Sequence, residues 1–579
     1  MEKRWTIQKA DPEKTRILVK ELDMPEISCQ LIAMRGPGNF EEAKAFFRPQ
    51  LENLHDPFLM KDMDKAVKRV VAAIEKNEKI LIYGDYDVDG TTAVALMVRF
   101  LKTLHATIEF YIPHRYREGY GVSKAGIEYA IQEKFDLILS LDCGIKSIEL
   151  VALAASYGID FIICDHHLPD NILPTAIAIL NAKQPHCHYP FKELCGCGVG
   201  FKLVQALCKH YALPDSRWQE YLDLVAIAIA ADIVPILDEN RILTYYGLQQ
   251  VAKKPSVGVK ALLKRAEIKG EIQVSSLVFG IAPRINAAGR MDDAKKAVEL
   301  FLAENEGKAE ALASQLQADN TDRREVDSSI TLQAIAMIEA DPSLLMARST
   351  LLYHPDWGSV SIDEQETGKA KGVVGIVASR LIEKYYRPTI ILTDSGEKVA
   401  GSARSVIGFN VYEAIHACKD LLENYGGHFY AAGLTLKREN VPALKAMFEK
   451  VVRASITEDM LVPQIMVDAE IQFKDITTNF YKTLCQMEPF GPENLRPVFV
   501  AREVYETGQS KIVKDNHIKF SLMQNGITFN GIGFGLAEKF NLLQPNIPID
   551  VAFSLDLNEW NGERKIQLKV MDIKQNEPR

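Results

Sequence analysis

No stretch of this 579-residue sequence is apolar for long enough to cross a membrane. The most apolar run, Leu222 to Leu237, is broken by Asp223 and Asp232 and falls short of the ~20 residues a spanning helix needs. Met1-Glu-Lys-Arg-Trp-Thr-Ile is charged and lacks the apolar core and small-residue cleavage site of a secretory leader, so a soluble, cytoplasmic protein is expected. Cysteine is sparse, nine residues scattered along the chain, which excludes a disulfide scaffold. The densest Cys/His segment, His186, Cys187, His188, Cys195 and Cys197, has Cys-x-Cys and His-x-His spacing instead of that of structural zinc sites, and reads as a tight Gly-rich turn. Positive charge is not in excess either. With 68 Lys and Arg against 77 Asp and Glu the net charge is −9, which excludes a uniformly basic nucleic-acid wrapper but leaves room for a local basic stripe. No Gly-x-Ser-x-Gly elbow or Ser-His-Asp arrangement offers a side-chain nucleophile.

The length exceeds what one core can bury and suggests roughly three or four domains. From residue 68 to 182 apolar runs alternate with helical periodicity as in parallel βαβ units. Lys79–Tyr83, Ile108–Ile112, Leu137–Leu141 and Phe161–Cys164 read as strands, with helices over Thr91–His105, near Lys124–Glu133 and near Ser147–Ser156. The fold class is α/β with a parallel sheet. Between Gly307 and Pro342 there is no Gly or Pro, and the charge pattern predicts one long helix that connects domains. A second α/β segment follows over about 350 to 455, with a strand at Thr389–Thr393 and a Gly-rich stretch from Gly426 to Gly433. After about 462, short strands at Val498–Val504, Ile518–Leu522, Val551–Leu555 and Ile566–Val570 are punctuated by Asn525-Gly526 and Asn561-Gly562, the signature of hairpins in a small β-barrel.

Asp85-Tyr-Asp87-Val-Asp89-Gly90 places three carboxylates at alternate positions. A calcium loop would need a Glu at its twelfth position, which is Leu96, and a preceding helix where this sequence has a strand. Position along the strands gives a better reading. Asp85, Asp142 and Asp165-His166-His167 each follow a predicted parallel strand, and the carboxyl ends of such strands line the ligand crevice. That much like charge is brought together at a cost unless cations bind. Oxygen ligands alone would suit magnesium, whereas imidazole shifts the preference toward manganese or another first-row ion; the carboxylates are enough for two ions, and the reaction inferred is phosphoester hydrolysis by metal-activated water.

The motifs Asp85-Tyr-Asp87-Val-Asp89-Gly90, Asp142-Cys-Gly144, Asp165-His166-His167 and Ala231-Asp232-Ile-Val-Pro235 resemble, in order, those of the DHH phosphoesterases. Pro283-Arg284-Ile-Asn286-Ala-Ala-Gly-Arg290, Gly375-Ile-Val-Ala-Ser-Arg380, Gly401-Ser402-Ala-Arg404-Ser405 and Gly426-Gly-His428 narrow the resemblance to the RecJ-like exonucleases. It implies an N-terminal extension (1–60), a DHH catalytic domain (61–300), a connecting helix (301–345), a DHHA1 domain (346–458) and an OB-fold (459–579). It further implies Asp87, Asp89, Asp142, His166 and Asp232 as ligands of two Mn²⁺ or Mg²⁺ ions. Asp85 and His167 would be catalytic without ligating, and Arg284 and Asn286 would contact the scissile phosphate. Arg115, Ser402, Arg404 and His428 would bind the substrate, single-stranded DNA with a 5′ phosphate, Gly401 allowing close approach of the backbone. The implied activity is stepwise 5′ to 3′ hydrolysis to mononucleotides in DNA repair and recombination. The implied enzyme is a monomer, with a single-stranded-DNA-binding protein and a repair helicase as partners.

The sequence departs from the subgroup in a polar insertion near 358–371, between Trp357 and Gly372, and in carrying Lys371 where a His is usual. It is also expected to lack the further C-terminal domain of some relatives. DHH hydrolases of short oligoribonucleotides or cyclic dinucleotides lack the terminal barrel, where Lys511, Lys514, His517, Lys519 and Trp560 are candidates for contact with a long strand. A scaffold that had lost catalysis would show eroded ligands, and here every motif position is filled.

Overall fold

The computed structural model describes residues 2–104, 107–291, 293–358, 372–560 and 563–576. They fall into two compact units, one of residues 54–234 and 238–462, the other of 1–53, 235–237 and 463–579. Numbered along the chain, β1 (Arg4–Ile7) belongs to the smaller unit and the next ten strands to the larger.

The larger unit is built on two sheets. In the first, β2 (Lys79–Gly84), β3 (Thr107–Tyr111), β4 (Leu137–Leu141), β5 (Asp160–Cys164) and β6 (Ala178–Leu180) run parallel in the order β3-β2-β4-β5-β6. Ile80 to Gly84 and all of β4 are buried, the unbroken apolar run expected of strands covered on both faces. β6 is the strand that sequence periodicity did not single out. The chain leaves β2 toward β3 on one side and resumes at β4 on the other, so the order reverses between β2 and β4. That is where open α/β sheets hold ligands. The following helix, Val88–Lys102, begins three residues earlier than its apolar pattern suggests, because Asp87 caps it by accepting the Gly90 N–H at 3.0 Å.

The connecting helix runs over Glu306–Ala340, 35 residues or about 52 Å at 1.5 Å per residue. Its first half buries Ala309, Leu312, Ala313 and Leu316 beside the helices Val257–Arg265 and Ala282–Met291. Its second half contributes Val326, Ile330, Ala334 and Ile338 to a core shared with Trp357, Val377 and Leu381. One helix therefore serves two cores, which accounts for its length.

In the second sheet β7 (Thr350–Tyr353), β8 (Thr389–Ser395), β9 (Lys398–Arg404), β10 (Asn424–His428) and β11 (Ala431–Lys437) lie in the order β10-β11-β9-β8-β7, antiparallel except for β7 with β8. Val399, Ala403, Leu434 and Leu436 pack from one face into a core with Leu444 and Phe448 of the helix Val441–Ser455. Nearly all of the polar insertion 358–371, Lys371 included, lies outside the described residues.

The smaller unit contains β12 (Gln464–Val467), β13 (Ala469–Glu470), β14 (Phe499–Glu506), β15 (Lys511–Val513), β16 (His517–Gln524), β17 (Ile527–Gly533), β18 (Ile549–Trp560) and β19 (Glu563–Gln575). The order β14-β18-β19-β17-β16 closes on itself through pairing of β16 with β14, a five-stranded barrel. Asn525 and Gly526, with φ of 50° and 80°, form the two-residue turn between β16 and β17. Asn561-Gly562 and the Trp560 side chain lie outside the described residues. Residues 1–53 belong to the same compact unit as the barrel. β1 pairs in parallel with β12, and Leu18, Ile32 and Phe46 share a core with Phe499, Phe520 and Phe553. The helices Pro12–Leu22, Glu26–Ala33 and Phe40–Phe47 are too few to bury one another's apolar faces, and the barrel does so. Among the described residues no helix is long and apolar enough to cross a membrane.

Candidate active site

Asp85 follows β2, Asp142 follows β4 and Asp165 follows β5, so the reversal point of the first sheet gathers acidic groups. Asp142 sits in the left-handed region at φ 58°, a conformation Asp tolerates better than most residues. Its backbone N–H still bonds the Cys164 carbonyl at 2.9 Å. Asp89, in the first turn of the helix capped by Asp87, accepts the Gly196 and Cys197 N–H groups at 2.6 and 2.8 Å. These amides open the helix Gly196–His210, whose N-cap is Cys195, so the Cys-rich segment builds the site's wall. A Cβ at Gly196 would stand 2.5 Å from that of Asp142, and glycine lets the wall come this close. Asp232 ends the helix Leu222–Asp232.

His166 joins the carboxylates. Its Nε2 lies 3.2 Å from Asp142 Oδ1, 3.6 Å from Asp232 Oδ2 and 3.9 Å from Asp89 Oδ2. Ligand atoms of Asp89, His166 and Asp232 come within 4.8 Å of one another, as do those of Asp142, His166 and His167. Burial, reinforced by Asp87, lifts the Asp85 carboxyl to about 8, and burial with Asp89 lifts Asp232 to about 9. Asp89 and Asp142 are raised too, by burial first, and burial pushes His166 down. Asp85 Oδ2, Asp142 Oδ1, Asp232 Oδ2 and His166 Nδ1 are buried without a hydrogen-bond partner. Orphaned buried oxygens beside an unprotonated imidazole fit divalent cations as the missing counter-charge.

His167 is held from both sides. Its Nδ1 lies 2.7 Å from Asp165 Oδ1, and its Nε2 3.0 Å from the Tyr120 hydroxyl. Burial would lower its pKa, but the bond to Asp165 outweighs this and raises it. Asp165 in turn accepts the N–H groups of His166, His167 and Ile145, and with the His167 side chain these outweigh burial and keep its carboxyl low.

A second cluster has the opposite sign. The Arg404 guanidinium donates to Ser402 Oγ at 2.7 Å and to the Ala403 carbonyl at 2.8 Å, and its pKa is lowered by burial and then by Arg115. Arg115 stacks over the Tyr86 ring, 4.7 Å from its centroid, between Asp85 and Asp87 in the chain. Arg290 donates to the Gly372 carbonyl and is pushed down to about 10 by burial and then by Arg115, Arg323 and Arg404 among its neighbours.

Known proteins match along the whole chain. Residues 79–229 match the family model for the DHH family N-terminal domain, 358–454 that for the DHHA1 domain, and 467–572 that for the RecJ OB domain. The single-stranded-DNA-specific exonuclease RecJ of Bacillus subtilis is 37% identical over 98% of this chain and 70% of its own length. That of Escherichia coli is 31% identical over 99% of this chain and 100% of its own. The chain belongs to the RecJ family. The crystal structure of RecJ in complex with Mn²⁺ from Thermus thermophilus superposes with a TM-score of 0.83 at 27% identity, over 99% of this chain and 80% of that one.

Set against the residues expected of a RecJ chain, the structure brings Asp89, Asp142, His166 and Asp232 together. Asp87 caps the helix through one carboxylate oxygen, Oδ1, while adding to the charge felt by all four neighbouring carboxylates. Arg115, Ser402 and Arg404 also converge. Arg284 is engaged elsewhere: it donates to Gln317 of the connecting helix at 2.7 Å and to the Gly280 and Arg265 carbonyls. Asn286 lies on the same helix, Ala282–Met291, whose Gly289 abuts the Tyr86 carbonyl. Gly401 serves packing, since a Cβ there would collide with the Ile391 carbonyl oxygen. In the barrel Lys511 and Lys519 sit directly opposite each other on β15 and β16, and His517 packs on Phe534. Sequence reasoning missed the roles of Asp165, Tyr120 and Arg290. Asp165 and Arg290 stood inside the quoted motifs, and a half-buried Arg beside Gly372 had no signal in spacing.

Proposed function

We propose that this chain is a single-stranded-DNA-specific exonuclease that hydrolyses phosphodiester bonds from the 5′ end to release mononucleotides, in DNA repair and recombination. The observation that carries this reading is the pairing of two clusters of opposite sign in a RecJ chain. Asp89, Asp142, His166 and Asp232 converge around orphaned oxygens, and Arg115, Arg290 and Arg404 gather near the Ser402 hydroxyl.

Asp87, Asp89, Asp142, His166 and Asp232 would hold two divalent ions, Mn²⁺ or Mg²⁺, which supply charge neutralisation at the phosphate and an activated water. Asp165 and Tyr120 fix the His167 ring beside the acidic cluster, and Asp85 accepts the Gly121 N–H at 3.1 Å. Arg284 and Asn286, both on the helix Ala282–Met291, would contact the scissile phosphate region. Arg404 and Ser402, with Arg115, take the 5′ phosphate through forked and hydroxyl donors, and His428 lies on the same sheet face. A terminal phosphate anchored there presents the first diester to the acidic cluster, which sets direction and step size.

This reading divides the chain into chemistry at 61–300, a span at 301–345, end recognition at 346–458 and long-strand binding at 459–579, the last carrying residues 1–53 with it. It implies a cytoplasmic monomer whose partners are a single-stranded-DNA-binding protein and a repair helicase. The test is digestion of end-labelled single-stranded DNA and RNA with Mn²⁺ or Mg²⁺. Mononucleotides released from the 5′ end of DNA are expected. Release from the 3′ end, or hydrolysis confined to dinucleotides, would sink the reading.

A further inference from the structure

The acidic and basic clusters share one loop. Between β3 and the helix Lys124–Gln132, the segment from Ile112 to Ser123 sends groups to both. On the basic side Arg115 lies over the Tyr86 ring, and the Tyr116 hydroxyl donates to the Arg290 carbonyl at 2.7 Å. On the acidic side the Tyr120 hydroxyl lies 3.0 Å from His167 Nε2, and the Gly121 N–H reaches Asp85 Oδ1 at 3.1 Å. The loop belongs to no helix or strand, and its backbone folds into one turn in which the Arg117 and Glu118 N–H groups donate to the His114 carbonyl at 3.2 and 2.9 Å. Gly119 and Gly121, at φ 90° and 80°, flank Tyr120. A backbone with that freedom does not fix the place of Tyr120 by its own preferences.

Glu118 does so instead. Its Oε1 accepts the His114 N–H at 2.8 Å, four residues back. Its Oε2 accepts the Ser123 hydroxyl at 2.6 Å, five residues ahead, and the Tyr111 hydroxyl at 2.9 Å, at the end of β3. Ser123 is committed in return. Its Oγ accepts the Gly126 N–H at 2.9 Å as the N-cap of the next helix, and its own N–H donates to the hydroxyl of the buried Tyr83 of β2 at 3.0 Å. One carboxylate therefore joins both ends of the loop to the strands and helix that carry it. Burial would raise its pKa, but the bonds from Ser123, His114 and Tyr111 outweigh this and lower it, so the charged form that accepts all three persists at neutral pH. None of these bonds goes to a member of either cluster.

We propose that Glu118 is a positioning residue for both clusters, tying the loop 112–123 closed so that Tyr120 is set against His167 while Arg115 is set beside Arg404. The part played by Arg115 rests on the end-recognition reading given above. A loop tied in this way holds the phosphate pocket at a constant spacing from the acidic cluster, as cleavage one nucleotide at a time requires.

The experiment compares full-length Glu118→Ala and Glu118→Gln with the wild type. It reads kcat and KM in saturating Mn²⁺ on strands ending in a 5′ phosphate or a 5′ hydroxyl, Mn²⁺ affinity from the paramagnetic resonance of the free ion, and hydrogen exchange of the amides of 112–123 in the DNA-free protein. Glu118→Ala is expected to lower kcat about tenfold on both strands, to reduce the preference for the 5′ phosphate about tenfold in kcat/KM, and to speed exchange in the loop. Mn²⁺ affinity should be unchanged, because the loop supplies none of the proposed ligands. Glu118→Gln should recover most of each loss, since an amide accepts from the His114 N–H and donates to the two hydroxyl oxygens. In an enzyme that prefers the phosphate, a loss confined to kcat or to the end preference would overturn the proposal. So would a fall in Mn²⁺ affinity as large as the fall in kcat, or a Gln variant as impaired as the Ala variant. A wild type indifferent to its 5′ end would sink the end-recognition reading instead. The tie is then judged by kcat and loop exchange, standing if Glu118→Ala changes both and falling if it leaves either unchanged.

Discussion

The acidic and basic clusters of the larger unit are built by opposite strategies. In the acidic one, carboxylates are left partly unsatisfied, and without a cation they can relieve their repulsion by taking up protons, as the values of about 8 for Asp85 and about 9 for Asp232 express. Guanidinium groups cannot discharge at workable pH. The basic cluster therefore spends its donors on neutral acceptors, the Gly372 and Ala403 carbonyls and Ser402 Oγ, and spreads charge over the Tyr86 ring. A site that must release and rebind cations keeps empty lone pairs. A site built of guanidinium groups keeps its charge whatever occupies it.

Removing a ligand should break the acidic side most severely. Asp142→Asn keeps the volume but removes the charge shared with His166, and a loss of roughly 10³-fold in kcat, about 4 kcal/mol, is expected in a steady-state assay with Mn²⁺ in excess. The basic side should fail more gently and more selectively. Arg404→Ala should cost about 10²-fold in kcat/KM, about 2.7 kcal/mol, on a 5′-phosphorylated strand and almost nothing on one ending in a hydroxyl. Equal losses on both would make Arg404 a structural residue.

The smallest effect sharpens the contrast, because only the acidic cluster titrates. Asp85 and Asp232 have folded pKa values above those of an unfolded chain, so the folded apo protein binds more protons between about pH 4 and 9, and its stability falls as pH rises through that window. Chelator-treated protein should therefore melt a few degrees lower at pH 8.5 than at pH 6. Mn²⁺ should remove most of that difference by replacing the protons. A Tm independent of pH in the apo protein would show that the carboxylates are hydrated rather than buried.

Most helices and strands of the first sheet were legible because burial imposes periodicity. Unbroken apolar runs marked β2, β4 and β5, and the absence of Gly and Pro marked the long helix to within a residue or two at each end. The site's acidic half was legible for the same reason, since parallel strands must deliver Asp85, Asp142 and Asp165 to one sheet edge. β6 escaped because three residues carry no period, and residues 1–53 because an amphipathic helix does not say which core will cover it. A chain cut near residue 460 would strip Leu18, Ile32 and Phe46 of the partners in their core.

The sequence by itself determined the chemistry on offer: which carboxylates and imidazoles stand at strand ends, and which arginines are available for phosphate. Tertiary structure alone decided how those groups are spent. Asp87 caps a helix, Asp165 steers His167, Arg284 turns to the connecting helix, Arg290 is sunk beside Arg115, and Gly401 is packed. The reason is physical. Residue type and local period fix which hydrogen bonds and charges a side chain can offer, whereas desolvation, like-charge repulsion and the space above a Cα depend on what the rest of the chain brings within a few ångströms.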